Sequence, residues 1–261
     1  MKYISWTMAI FAIIAAIDRI FGNKLGLGKE FDKAVGLVVP MVLSMVGMIV
    51  LSPTIAELLN PLMQKMTGAI DPSVIPGILF ANDMGGAPLA FAVAKNESLA
   101  VLHGLVVSSM MGATISFTLP YAIGVVPKEK HRVLFLGILC GIITVPLGAL
   151  LGGIILKIPF ALLLLNLLPL AVFSAFVAFG IMRFPSACVK AFSAVGVAIK
   201  VLVTVGLAVG IFTFLTGETL IPHTAPLSAG MDVVINAMCV MTGAFPLLSI
   251  LSRLLGYFLL S

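Results

Sequence analysis

Seven long runs of apolar residues divide the chain, and short polar stretches connect them. The hydrocarbon core of a bilayer is about 30 Å thick, so a helix needs about 20 apolar residues to cross it. The pattern predicts an all-α, polytopic bundle of transmembrane helices, with all 261 residues in one membrane domain. The predicted spans are 4–21, 34–59, 99–126, 133–156, 160–182, 191–215 and 232–251.

A further apolar segment, residues 74–94, differs from these spans because its centre is polar and rich in helix-breaking residues. That centre contains Asn82, Asp83, Gly85, Gly86 and Pro88. Glycine and proline interrupt helical hydrogen bonding, and non-helical backbone at membrane depth is tolerated only when protein buries it or water lines it. The segment is therefore predicted to be a broken helix or a re-entrant hairpin.

The basic residues favour the re-entrant hairpin. If the segment enters and leaves on one face, ten Lys and Arg residues fall on the cytoplasmic side and four outside, as the positive-inside rule expects. A full span gives six inside and eight outside. The ten are Arg19, Lys24, Lys29, Lys33, Lys128, Lys130, Arg132, Arg183, Lys190 and Arg253, and the four are Lys2, Lys65, Lys95 and Lys157.

The composition excludes the common soluble classes. Hydrophobic residues make up 61% of the chain and charged residues 10%, whereas an average soluble domain has about 25% charged residues. The net charge of +5 is assigned to cytoplasmic loops rather than to a nucleic-acid partner. The expected partners are a lipid bilayer and a small-molecule substrate, and the number of copies in an assembly stays open.

Asp83 is the first candidate for a binding residue, because charged groups inside hydrocarbon are costly and commonly functional. Its carboxylate can pair with a cation, and Gly85 and Gly86 free nearby backbone groups to replace a substrate's water shell. Asn82 lies beside it in sequence. The structural alternative is that Asp83 caps the second half-helix.

Other polar residues within the predicted spans extend the candidate site. Thr114 and Ser116 belong to a hydroxyl-rich stretch, which predicts either a polar lining beside Asp83 or hydrogen bonds between helices. Lys200 and Glu57 are candidate charge partners. The alternatives are that Lys200 extends towards the interface or pairs with a buried acid, and that Glu57 extends to the membrane surface.

Sequence motifs for nucleotide, zinc and nucleophilic catalysis are missing. The chain has no GxxxxGKS/T, no HExxH and no GxSxG. We therefore expect no cofactor, no metal site and no enzymatic activity.

Five sequence blocks are distributed along nearly the whole chain: MVLSMVGMIVLSP (41–53), GILFANDMGGAPLA (77–90), SSMMGATISFTLPYAIGVV (108–126), GILCGIITVPLG (137–148) and VMTGAFPLL (240–248). In sequence, order and spacing these blocks resemble the bacterial ethanolamine-utilisation transporter family. The resemblance implies a multi-pass protein of the bacterial inner membrane that lets ethanolamine enter the cell.

The chain also departs from the family pattern. The family often has Cys at the position of Asn82 and Pro at the position of Ala113, and its members extend beyond Ser261. The resemblance therefore implies that further C-terminal helices are missing. The faint likeness of VMTGAFPLL (240–248) to SMVGMIVLSP (44–53) suggests that those helices would complete an inverted repeat, of which this chain is the first part.

The function expected from these features is import of ethanolamine as its ammonium cation, by facilitated diffusion or potential-driven uniport. One alternative is an ion-coupled transporter of another small metabolite, in which Asp83 takes Na⁺ or H⁺. Another is an intramembrane enzyme that uses Asp83 and Asp232 as a carboxylate pair.

Overall fold

The structure is a computed structural model, and it describes residues 2–65, 70–81, 85–115 and 126–260. Within these ranges all regular structure is helical, which confirms the predicted all-α class. The helices are α1 Lys2–Ile20, α2 Leu27–Gly36, α3 Val38–Met41, α4 Gly47–Lys65, α5 Val74–Leu79, α6 Ala87–Val93, α7 Glu97–Val101, α8 His131–Ile155, α9 Phe160–Arg183, α10 Pro185–Thr216 and α11 Leu227–Leu260. The structure also has two π-helical stretches, Val42–Val46 and Leu102–Gly112, and one short 3₁₀ turn, Lys128–Lys130.

Six helical stretches in the described part of the chain are long and apolar enough to cross a membrane. They are Tyr3–Ile20, Leu27–Leu59, Val133–Ile155, Phe160–Arg183, Pro185–Thr216 and Leu227–Leu255. Their outward faces carry large apolar side chains such as Ile155, Phe176 and Phe214. In water such faces would be costly to expose, whereas lipid accommodates them. The chain is thus a multi-pass membrane protein.

The chain divides into two compact units, of which the first contains Met1–Val46 and Ser228–Ser261. Its organising residue is Asp18, whose buried carboxylate accepts the backbone N–H groups of Leu25, Leu27 and Gly28 at 2.8–3.1 Å. These bonds fix the corner between α1 and α2, because they satisfy donors at the start of α2 that the helix itself leaves free.

The second unit, Gly47–Leu227, contains the core of the helix bundle. The π-helical stretch Leu102–Gly112 packs against α5, α6 and α8, and α8 packs against α9. The side chains at the centre of this core are almost completely buried; they include Leu102, Met111, Ile142, Leu163 and Leu170.

Helix α4 contacts α10 in the same unit through glycines. A Cβ on Gly206 would overlap the Gly47 carbonyl group and lie 2.8 Å from Leu51 Cδ1. The absence of a side chain at both positions lets the two backbones meet, as small residues do between membrane helices. The glycines of GILCG in α8 differ, because a Cβ on Gly137 or Gly141 would meet nothing within 4 Å.

Around a proline inside α4, a neighbouring loop forms hydrogen bonds with the helix. Pro53 lies inside the helix, and near it the Val50 carbonyl accepts the N–H of Ala225 at 2.9 Å. The Thr54 hydroxyl donates to the Pro222 carbonyl at 3.0 Å. A proline weakens helical hydrogen bonding around it, and the loop after α10 contributes backbone partners there.

The glycine contact between α4 and α10 leads to a stability prediction. Gly206→Ala is expected to lower the midpoint of thermal unfolding in detergent, since overpacking costs about 1–3 kcal/mol. Gly141→Ala is the control, because its new methyl group meets open space and alanine favours a helix over glycine. Equal midpoints for the two variants would contradict the close approach.

Candidate functional site

The segment that the sequence singled out is not one continuous helix in the structure. Helix α5 ends at Leu79, and Phe80 has an extended backbone with φ −112° and ψ 137°. Helical structure resumes around Gly85 and Gly86, and α6 begins at Ala87. Gly85 has φ +111°, a conformation that a residue with a side chain rarely adopts. Asn82 and Asp83 lie outside the described residues.

The two ends of this segment meet at the carboxylate of Asp71. Its Oδ1 accepts the backbone N–H of Ser73 at 3.0 Å and the Ser73 hydroxyl at 2.6 Å. Its Oδ2 accepts the N–H groups of Lys95 and Asn96 at 2.9 and 3.0 Å. Ser73 precedes α5 and Lys95 follows α6, so one side chain joins both ends. We call Asp71, Ser73, Lys95 and Asn96 the hairpin base.

Two further polar side chains attach the hairpin base to neighbouring helices. His103 Nδ1 lies 2.8 Å from the Ser73 hydroxyl oxygen. The Asn166 Oδ1 atom of α9 accepts the N–H of Asp71 at 2.7 Å, and its Nδ2 donates to the Leu162 carbonyl at 2.9 Å. Asp71, Ser73, His103 and Asn166 are at most 3% exposed. Buried polar groups are costly unless they are bonded, so this network fixes the local geometry.

The far end of the hairpin packs closely against the helix that follows it. A Cβ on Gly86 would lie 2.6 Å from the Phe80 carbonyl oxygen and 2.6 Å from Ser108 Cβ. A Cβ on Gly112 would overlap the same Phe80 carbonyl group. Ser108 is completely buried there, and its hydroxyl donates to the Gly104 carbonyl. Close approach of backbone at these positions requires glycine.

The predicted hydroxyl residue Thr114 lies on a different side of its helix from Gly112. Its hydroxyl donates to the Met110 carbonyl at 2.6 Å, and it lines a groove with Gly137 and Gly141 of α8. Ser116 lies outside the described residues. Among the described hydroxyls of this stretch, the structure brings Ser108 next to the hairpin.

The predicted charge partners lie elsewhere in the second unit. Glu57 is exposed, and its Oε1 lies 3.2 Å from His223 Nδ1. Lys200 is also exposed, although the preceding residue, Ile199, is buried in a cluster with Met48 and Phe80. Asp232 is exposed within α11, in the first unit.

The described ranges contain no group of three or more His, Cys, Asp or Glu side chains that could hold a metal ion. Metal sites require several such ligands at fixed distances. The carboxylate and backbone N–H of Asp71 are instead satisfied by hydrogen bonds within the protein, whereas Nε2 of His103 is buried without a partner among the described residues.

The sequence interpretation did not single out Asp71, Ser73 or Asn166. One signal was available for the first two, because Asp-Pro-Ser ahead of an apolar run is typical of a turn in which the Asp side chain accepts a backbone N–H two residues later. Nothing local indicates the contact with Asn166, which is 95 residues away in the chain.

The fold and this interrupted, closed segment define a class: polytopic helical membrane proteins with a hairpin inside the helix bundle. The family model described as "Ethanolamine utilisation protein, EutH" matches residues 1–260. The chain therefore belongs to this family, which confirms the resemblance. No solved structure matches it.

Three relatives are named "Probable ethanolamine permease EutH". The protein of Listeria monocytogenes serotype 1/2a is 37% identical over 254 residues, which cover 97% of this chain and 68% of the relative. Those of Salmonella typhimurium LT2 and Escherichia coli K12 are each 33% identical over 293 residues, which cover 97% of this chain and 72% of the relative. A permease is a transporter and not an enzyme.

The bond between Asn166 and Asp71 can be tested with a nearly isosteric change. Asn166→Leu leaves the buried N–H of Asp71 without its acceptor, so we expect a loss of about 1–3 kcal/mol in the free energy of unfolding. An unfolding titration with sodium dodecyl sulfate in mixed micelles measures this loss.

The matched control is Ser174→Ala, in the same helix. The Ser174 hydroxyl is buried and has no hydrogen-bond partner within the described residues. Its removal is expected to change stability little. The assignment of Asn166 would be refuted by equal losses in the two variants.

Proposed function

We propose that this chain is a permease that imports ethanolamine across the plasma membrane of a bacterium, as the ammonium cation and driven by the membrane potential. The observation that carries the proposal is the closed hairpin inside the helix bundle, whose interruption coincides with Asn82 and Asp83 in sequence. The names of the relatives supply the substrate class.

The proposed site matches the chemistry of ethanolamine near neutral pH, a small ammonium ion with one hydroxyl group. Asp83 pairs with the ammonium group. Asn82 and nearby hydroxyls take the alcohol, and Gly85 and Gly86 leave backbone groups accessible. Helix α5 ends at the interruption, so the negative end of its dipole also favours a cation there.

The dimensions of the hairpin support a position within the membrane. Six helical residues rise about 9 Å, and the extended residue Phe80 adds about 3 Å. Half the hydrocarbon thickness is about 15 Å. If the hairpin base lies near the outer surface, the interruption lies close to the bilayer centre and the segment re-enters instead of spanning.

The energies are compatible with uptake without a coupling ion. Ethanolamine has four heavy atoms, so its best binding free energy is about −6 kcal/mol, which corresponds to a Kd of tens of micromolar. An inside-negative potential favours entry of a cation by about 2.3 kcal/mol per 100 mV. The potential alone can therefore accumulate a weakly bound cation.

The role of Asp83 is tested by uptake of labelled ethanolamine into proteoliposomes under an inside-negative potential. Asp83→Asn is expected to abolish uptake, because the cation loses its counter-charge in a medium of low dielectric constant. Asp232→Asn makes the same chemical change at an exposed carboxylate of the other unit, and should leave uptake unchanged.

Three outcomes would reject parts of this proposal. Uptake that survives in Asp83→Asn would make Asp83 a structural cap. Uptake that requires a proton or sodium gradient when the potential is clamped would replace uniport by ion coupling. If wild-type proteoliposomes take up no ethanolamine, the assignment of ethanolamine as the substrate is rejected.

The re-entrant topology is tested by cysteine labelling in intact cells. In a background with Cys140, Cys188 and Cys239 replaced, Ile70→Cys and Glu97→Cys are expected to react with a membrane-impermeant maleimide from the same side. Lys130→Cys should react only after the cells are permeabilised. Labelling of Ile70→Cys and Glu97→Cys from opposite sides would mean that the segment spans.

A further inference from the structure

We propose that Asp71 is a positioning residue for the substrate site, and that Ser73 and His103 hold its carboxylate in the orientation that closes the hairpin. This inference rests on the proposed function for the identity of the substrate. The geometry of the hairpin base stands independently of it.

The hydrogen-bond directions follow from the contacts of Asp71. Its carboxylate accepts two bonds at each oxygen, one of them from the Ser73 hydroxyl. A serine hydroxyl has a single proton, and the Ser73 hydroxyl donates its proton to Asp71 Oδ1. The Ser73 oxygen must then accept from His103, so Nδ1 of the imidazole carries a proton and donates it over 2.8 Å.

The hydrogen bonds therefore follow one another: His103 donates to Ser73, and Ser73 donates to Asp71. His103 belongs to the π-helical stretch that packs against α5, where a Cβ on Gly77 would lie 2.5 Å from the His103 carbonyl oxygen. Asn166 holds the backbone of Asp71 from α9. Both attachments are buried, so the carboxylate is fixed between two helices.

The fixed carboxylate determines where both arms of the hairpin begin and end. Oδ1 holds the turn that starts α5, and Oδ2 holds the two backbone N–H groups that follow α6. The arms are short, with six residues in α5 and seven in α6. A change at the hairpin base is therefore transmitted to the interruption, where Gly86 and Gly112 allow little room around the Phe80 carbonyl.

Two nearly isosteric substitutions at His103 test the hydrogen bonds that lead from His103 through Ser73 to Asp71. The side-chain amide of His103→Asn can place an N–H donor close to the position of Nδ1, whereas His103→Leu fills similar space without a donor. We expect His103→Leu to raise the KM for ethanolamine about tenfold, the size of one lost hydrogen bond to a charged network. His103→Asn should stay within about twofold of wild type.

The uptake rates are normalised to the amount of folded protein, which is measured by size-exclusion chromatography in detergent. A purely structural role would lower the folded amount of both variants and leave the KM of the folded fraction unchanged. That result would overturn the proposal, as would an equal rise in KM for His103→Asn and His103→Leu.

A second measurement requires no substrate. In Asp71→Leu the side chain offers no acceptor, so the Ser73 donors and the backbone N–H groups of Lys95 and Asn96 all lose their partner. We expect hydrogen exchange of the Lys95 and Asn96 amides to accelerate by about tenfold or more, measured by mass spectrometry on peptides that cover residues 93–98. Peptides from α8 serve as the internal reference.

The two measurements separate the proposals. If wild-type protein takes up no ethanolamine but exchange at Lys95 and Asn96 accelerates as expected, the substrate assignment fails and the role of Asp71 in closing the hairpin stands. If exchange at Lys95 and Asn96 stays at the wild-type rate in Asp71→Leu, the positioning role is overturned, whatever the substrate.

Discussion

The cost of burying a carboxylate organises the second unit of this protein. Asp71 is 3% exposed, and a buried charge is tolerated only when hydrogen bonds replace its water shell. Four donors do so, and they come from both sides of the interrupted segment. The requirement to satisfy one side chain therefore brings together residues 71 and 96, which short local contacts would not hold.

The hairpin closed in this way packs through backbone instead of through large side chains. Gly77, Gly86 and Gly112 each lie where a Cβ would meet a carbonyl group of the facing segment. Lipid tails are as apolar as leucine, so helices in a membrane gain by close van der Waals packing. The same principle explains the contact between Gly47 and Gly206.

These features place the end of α5 and the start of α6 next to an apolar core that excludes water. An unpaired ion inside such a core is costly, so a cation that enters requires the counter-charge proposed for Asp83. Lys200 is exposed midway along α10, and the Glu57 carboxylate lies 3.2 Å from His223 Nδ1. In the proposed site, the carboxylate of Asp83 and the helix dipoles are the attractive elements.

The sequence by itself determined the class of the protein and the location of the interrupted segment. Twenty-residue apolar runs and a Gly- and Pro-rich polar centre are local signals, because bilayer thickness and backbone hydrogen bonding act on neighbouring residues. The family followed from short blocks such as GILFANDMGGAPLA. Only the tertiary structure decided that Asp71 meets Lys95, that His103 and Asn166 support it, and that Ser108 rather than Thr114 faces the hairpin. Those pairings depend on how helices distant in sequence are rotated and packed, and hydropathy does not encode the rotation of a helix that is apolar on every side.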